Sequence, residues 1–221
     1  LVSRLKINAL IVTLSMMWVI RGAVLLITGA RPVYGFEHSF TFWGGATSIF
    51  SLFSNNVTNP LLSIINPPIA ISLIMTVIFV IVLEKTKLGL YCFSIGSNER
   101  ALHQCGVNIN KYKVIIYAIS GLCAALAGLI VAARLNTAEP LAGTGYEMDA
   151  IAAVVLGGTW IQGGNGSIGG TFLACLILAI ISNGLTILAI SSNYQQLLTG
   201  IIVLIAVAVS ESRKRKKREV L

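Results

Sequence analysis

Residues 114–133 read VIIYAISGLCAALAGLIVAA, twenty positions without a charged side chain. About 20 apolar residues in a helix match the hydrocarbon thickness of a bilayer. A helix also satisfies its own backbone polar groups where no water can do so. Composition extends the reading to the whole chain. Of 221 residues, 56% are hydrophobic and 11% charged, and the mean hydropathy is +0.85. A soluble domain carries about a quarter charged residues to cover its surface; this chain has too few, and lipid is the solvent for most of it. The expected fold class is all-α, a polytopic transmembrane helical bundle.

Further apolar runs lie on both sides of 114–133. One covers about 9–28 and contains a single charge, Arg21; another covers about 67–83, with Pro67 and Pro68 suited to a first helical turn. Downstream come a short run at about 150–161 behind Glu147-Met148-Asp149, a run at 168–189 interrupted by Asn183 and Gly184, and a last one at about 197–210.

Loop charge orients these spans. Arg4 and Lys6 precede the first. Lys85, Lys87, Arg100, Lys111 and Lys113 fall in 84–113, and residues 213–218 read RKRKKR. Basic loops stay cytoplasmic, which places 84–113 and the basic tail 211–221 inside. A basic run can also be a nucleic-acid patch, but directly after an apolar span it reads as an anchor on an anionic membrane surface. Segment 29–66 has only Arg31 among basic residues and is rich in aromatics, and 134–149 sets Arg134 against Glu139, Glu147 and Asp149; both belong outside. An odd number of crossings then follows residue 149. Either 150–161 crosses as a shortened or broken helix, the expectation adopted here, or a later span does not cross.

Seven glycines stand within the fourteen residues GGTWIQGGNGSIGG, among them Gly157, Gly158, Gly163, Gly164 and Gly166. Such density opposes a regular helix and permits close backbone approach. A phosphate cradle would need the Lys of a P-loop or a βαβ setting, and neither is near. A tight hinge packed against neighbouring helices is the better expectation. In the basic loop, Ser97 or Asn98 can cap a short helix starting near Glu99, and Gly106 can end it. That helix is either a plain connector or a docking element for a cytoplasmic partner. On 114–133, Ser120, Ala124, Gly128 and Ala132 recur every four residues, a spacing for close helix packing.

Several function classes lose support. Cys92, Cys105, Cys123 and Cys175 form no metal or redox spacing, and His38 and His103 stand apart. No carboxylate sits in mid-span, which counts against the alternative of a secondary, ion-gradient-driven transporter. Arg21 lies near a span end, where it can snorkel. A membrane enzyme built on Glu139, Glu147 and Asp149 would lack any accompanying His or metal spacing. Asn183, Gln195 and Gln196 are candidate pathway residues, with helix-to-helix hydrogen bonding as the other reading.

Three stretches carry a family resemblance: residues 11–33, IVTLSMMWVIRGAVLLITGARPV; residues 96–113, GSNERALHQCGVNINKYK; and residues 142–170, AGTGYEMDAIAAVVLGGTWIQGGNGSIGG. The chain resembles the permease subunits of bacterial ABC-type sugar importers of the ribose/xylose/autoinducer-2 class, over essentially its whole length. The resemblance implies a multi-pass permease of the bacterial cytoplasmic membrane with no cofactor and no enzymatic activity of its own. Its implied partners are a cytoplasmic ATP-binding subunit, an extracytoplasmic sugar-binding protein and a second permease subunit. Residues 1–221 would form one permease domain, the C-terminal two-thirds of a longer family chain, with 84–113 as the coupling loop. Glu99, Ala101 and Gly106 match coupling-loop positions; Arg100 stands where the family often has Ala, and Cys105 where it has a small residue.

Overall fold

The computed structural model describes residues 8–45, 66–160, 163–191 and part of 194–208. Its elements are α1 (Ala9–Thr28), β1 (Val33–Tyr34), α2 (His38–Thr41), α3 (Pro67–Lys85), α4 (Lys87–Gln104), α5 (Ile109–Leu135), β2 (Thr137–Ala138), α6 (Tyr146–Leu156) and α7 (Ile168–Ile187). Four of these, α1, α3, α5 and α7, are long and apolar enough to cross a membrane. The bundle expected from the apolar runs is therefore present as a multi-pass membrane fold. Among the described residues it adds a two-residue strand pair, the short helix α2 and the first half of α4.

Local chemistry sets the ends. The Asn8 side chain accepts the Leu10 N–H at 3.0 Å to open α1, and Gly29, left-handed at φ 60°, closes it by donating to the Leu25 carbonyl. α3 opens on Pro67 and Pro68, where missing N–H groups cost nothing. α5 is capped by Asn108, whose oxygen accepts from Lys111 N at 3.2 Å, and ends on left-handed Asn136. It begins five residues before the apolar run. Twenty-seven residues make about 40 Å of helix, more than the hydrocarbon core requires, and the residues added before the apolar run include the polar Asn110, Lys111 and Lys113.

The chain divides into two compact units. The first joins residues up to Val77 with Asn108–Gly143. In it β1 and β2 pair antiparallel, Val33 opposite Ala138 and Tyr34 opposite Thr137. Phe36 N donates to the Asn136 carboxamide oxygen at 3.2 Å, and Gly44 lies against the Ala133–Arg134 backbone. The loops after α1 and after α5, both assigned to the outside by charge, thus meet on one side of this unit.

The second unit joins Ile78–Val107 with the chain from Thr144. Here α6 packs on α7. The pair's buried side chains, Ala152, Ala153 and Val155 on α6 and Ala174 on α7, are small enough to let the backbones approach. α6 begins four residues earlier than the apolar run and stops at Leu156. Its eleven residues make about 16 Å, half a hydrocarbon core. Most large apolar side chains face outward; Leu26 and Ile27 of α1 are 85% and 84% exposed, the inverse of a water-soluble core.

Candidate coupling site

The basic loop holds more helix than its sequence predicts. α4 starts at Lys87, directly after α3, and Gly89 lies so close to the Leu83 backbone that a Cβ there has no room. Helical geometry then breaks at Asn98, with φ −156° and ψ 94°. Beyond the break Asn98 acts as a new N-cap, its Oδ1 accepting the Ala101 N–H at 3.1 Å. Of the two candidate caps, Asn98 makes the bond. Glu99 stands in the first turn, where a carboxylate suits the positive helix end. The turn closes with Cys105 N donating to the Ala101 carbonyl at 3.2 Å and Gly106 N to the His103 carbonyl at 3.0 Å, with Gly106 left-handed at φ +79°. Glu99, Arg100, Ala101 and Gly106 are all exposed, while Leu102 is half-buried. The result is a short, separately capped helix with an open outer face.

The described residues of the glycine-rich segment carry backbone hydrogen bonds and close contacts of their own. Gly157 N and Gly158 N donate to the Ala153 and Val155 carbonyls at 2.9 and 3.0 Å, closing α6. Gly163 N donates to the Trp160 carbonyl at 2.9 Å and Trp160 N to the Asn165 carbonyl at 3.0 Å. A Cβ on Gly166 would fall 2.7 Å from Thr159 Oγ1. The Ser167 hydroxyl accepts from Gly170 N at 3.2 Å to open α7. The two helices meet at Gly157 and Gly170, where a Cβ on Gly170 would strike the Gly157 carbonyl oxygen.

One contact has no counterpart in the sequence reading. Gly163 and Gly164 rest on Gly96 and Ser97 of α4: a Cβ on Gly163 would lie 2.9 Å from Gly96 Cα, and one on Gly164 2.6 Å from Ser97 Oγ. A lone glycine just ahead of a capping residue was the available signal, too common in a chain with 21 glycines to be singled out. Beside it a cleft of about 600 Å³ is lined by Val80, Leu83, Glu84, Leu90, Phe93 and the start of α7 at Ser167. The end of α3 and the start of α7 therefore lie on the same side of this unit.

The polar candidates separate. Asn183 is exposed on α7. The Gln195 amide nitrogen donates to Thr186 Oγ1 at 3.2 Å and to the Ile190 carbonyl at 3.1 Å, so this group ties the turn after α7. Gln196 and the basic tail lie outside the described residues. Glu147 accepts from Gly145 N at 3.2 Å, which places this acid in the start of α6. No group of His, Cys, Asp and Glu able to hold a metal occurs among the described residues. Burial raises the Cys92 thiol above its ordinary value.

Comparison with known proteins gives this arrangement a context. A family model described as branched-chain amino acid transport system / permease component matches residues 1–207. The chain belongs to this family. The chain is 40% identical over 215 residues to the ribose import permease protein RbsC of Escherichia coli (strain K12), covering 97% of this chain and 64% of the relative. The RbsC protein of Bacillus subtilis (strain 168) is 39% identical over 213 residues, 96% of this chain and 62% of the relative. The L-arabinose transport system permease protein AraH of Escherichia coli (strain K12) is 35% identical over 219 residues, 99% and 62%. The chain thus spans just under two thirds of the length of these relatives. No solved structure matches it. The resemblance carried by residues 11–33, 96–113 and 142–170 is borne out at the level of the family.

Proposed function

We propose that this permease forms the membrane path of an ATP-binding-cassette importer for a sugar, with a pentose as the first candidate. The observation that carries the reading is the helix of residues 99–104. It is broken from α4 at Asn98, capped at both ends and exposed on Glu99, Arg100 and Ala101. A cytoplasmic ATP-binding subunit docks there and biases the spans between two states, since energy enters only through a differential interaction with those states. The absence of a mid-span carboxylate in the sequence agrees with an external energy source. The substrate class rests on relatives named for ribose and L-arabinose import.

In this assembly an extracytoplasmic sugar-binding protein delivers solute on the side of the β1–β2 pair. The outward apolar faces meet lipid and a second permease subunit in the cytoplasmic membrane. α6 carries the chain across as a shortened helix, and Asn183 faces the solute path. The test is reconstitution of the full-length permease with its ATP-binding and sugar-binding partners in sealed vesicles. Labelled ribose or arabinose should accumulate only with hydrolysable ATP. Uptake driven by an ion gradient without ATP would overturn the proposal in favour of a secondary transporter.

A further inference from the structure

We propose that the backbone contact of Gly96 and Ser97 with Gly163 and Gly164 is the joint that passes motion of the 99–104 helix to the α6–α7 pair. The inference rests on the coupling role proposed above and adds the positioning residues that such a role needs. Three observations carry it. The contact sits immediately before the break at Asn98, so a pull on the short helix acts first on residues 96–97. At Gly96 the contact is backbone on backbone, since a Cβ there would strike Gly163 and Gly164, and only the Ser97 hydroxyl adds a side chain against Gly164; Gly163 and Gly164 hold φ of +82° and +84°. Close-packed backbone of this kind transmits displacement because it has no void to absorb it. On the far side, the Trp160–Asn165 and Gly163–Trp160 hydrogen bonds close the loop on itself. Its two ends are held together where Gly157 meets Gly170 and Thr171. A shift entering at Gly163–Gly164 therefore moves the adjoining ends of α6 and α7 together.

The test uses the full-length permease reconstituted with its partner subunits and reads solute transported per ATP hydrolysed. Gly96→Ala and Gly164→Ala should lower this ratio about tenfold, within the span of coupling changes that single mutations produce, while ATP hydrolysis persists. Gly121→Ala, where a Cβ meets nothing, should leave the ratio unchanged. Uptake and hydrolysis falling together, or neither changing, would overturn the proposal. If the joint variants do not assemble, spin labels in a chain freed of its native cysteines decide the matter with the glycines intact. Labels at Leu90→Cys and Asn165→Cys should keep their separation when ATP binds, while labels at Asn165→Cys and Leu122→Cys should change theirs. A change in the first pair, or none in either, rejects the joint. A wild-type complex without ATP-dependent uptake would instead reject the functional reading itself.

Discussion

Asn98 shows how one side chain creates an element. Its backbone leaves the helical region, and its Oδ1 takes the Ala101 N–H that the interrupted helix would leave unpaired. Without that acceptor, residues 99–104 lose a cap worth about 1 kcal/mol, and the straight continuation of α4 becomes the competing conformation. Asn98→Ala should therefore speed amide exchange at residues 100–104 about fivefold in the purified protein, the factor that corresponds to such a cap. Asn98→Asp, which keeps the acceptor, should restore protection. Equal exchange in both variants would show that packing, and not the cap, holds the helix. This site was legible in the sequence because capping is local: an Asn ahead of Glu99 and a Gly at 106 announce both ends. The Gly96–Gly164 contact was not legible, because it joins residues far apart in the chain through backbone atoms that carry no sequence signature of their own.

At the scale of elements, apolar length located α1, α3, α5 and α7, and terminal chemistry explains where the lengths differ. α1 agrees with its apolar run because Asn8 and Gly29 cap it at the run's own ends. α5 and α6 start earlier than their runs because their first turns are polar, and hydropathy does not register a helical turn that stands in water. The first half of α4 was missed for the same reason: residues 84–113 were read by their charges, which report sidedness and not conformation. The glycine density predicts a tight hinge packed against neighbouring helices, without naming the residues it packs on. In the structure the glycines are there for contact, and that makes a prediction. Gly170→Val puts a branched side chain onto the Gly157 carbonyl and should destabilise the detergent-solubilised protein by about 1–3 kcal/mol, the usual cost of overpacking. This is read as a lower thermal unfolding midpoint. Gly169→Ala, whose Cβ would reach only Ser167 Oγ at 3.9 Å, should leave the midpoint in place. Equal midpoints for the two variants would contradict the close approach at Gly157.

For the whole molecule, sidedness is the property on which the proposed function depends, and two kinds of observation bear on it. Loop charge predicts 84–113 inside and both 29–66 and 134–149 outside, and the pairing of β1 with β2 brings together the two loops predicted outside. Cysteines can report the rest. Cys105 is exposed at the end of the 99–104 helix, and Tyr34 of β1 is 69% exposed. In sealed inside-out vesicles a membrane-impermeant maleimide should label Cys105. In right-side-out vesicles it should label Tyr34→Cys and leave Cys105 untouched. Cys92, on α4, is an internal control with a definite pH dependence. The thiolate is the reactive form, and burial holds the Cys92 thiol above its ordinary value of 9.0, so less thiolate is present at neutral pH. Its labelling in inside-out vesicles should be slow near pH 7 and keep rising as pH passes 9.0. Adding the ATP-binding subunit should then protect Cys105, which lies at the proposed docking site, and leave Tyr34→Cys unprotected. Labelling of Cys105 from the outer side would invert the orientation and remove the docking site from the compartment that holds ATP. Labelling from the inner side without protection by the partner would keep the orientation but move the docking site away from Glu99, Arg100 and Ala101.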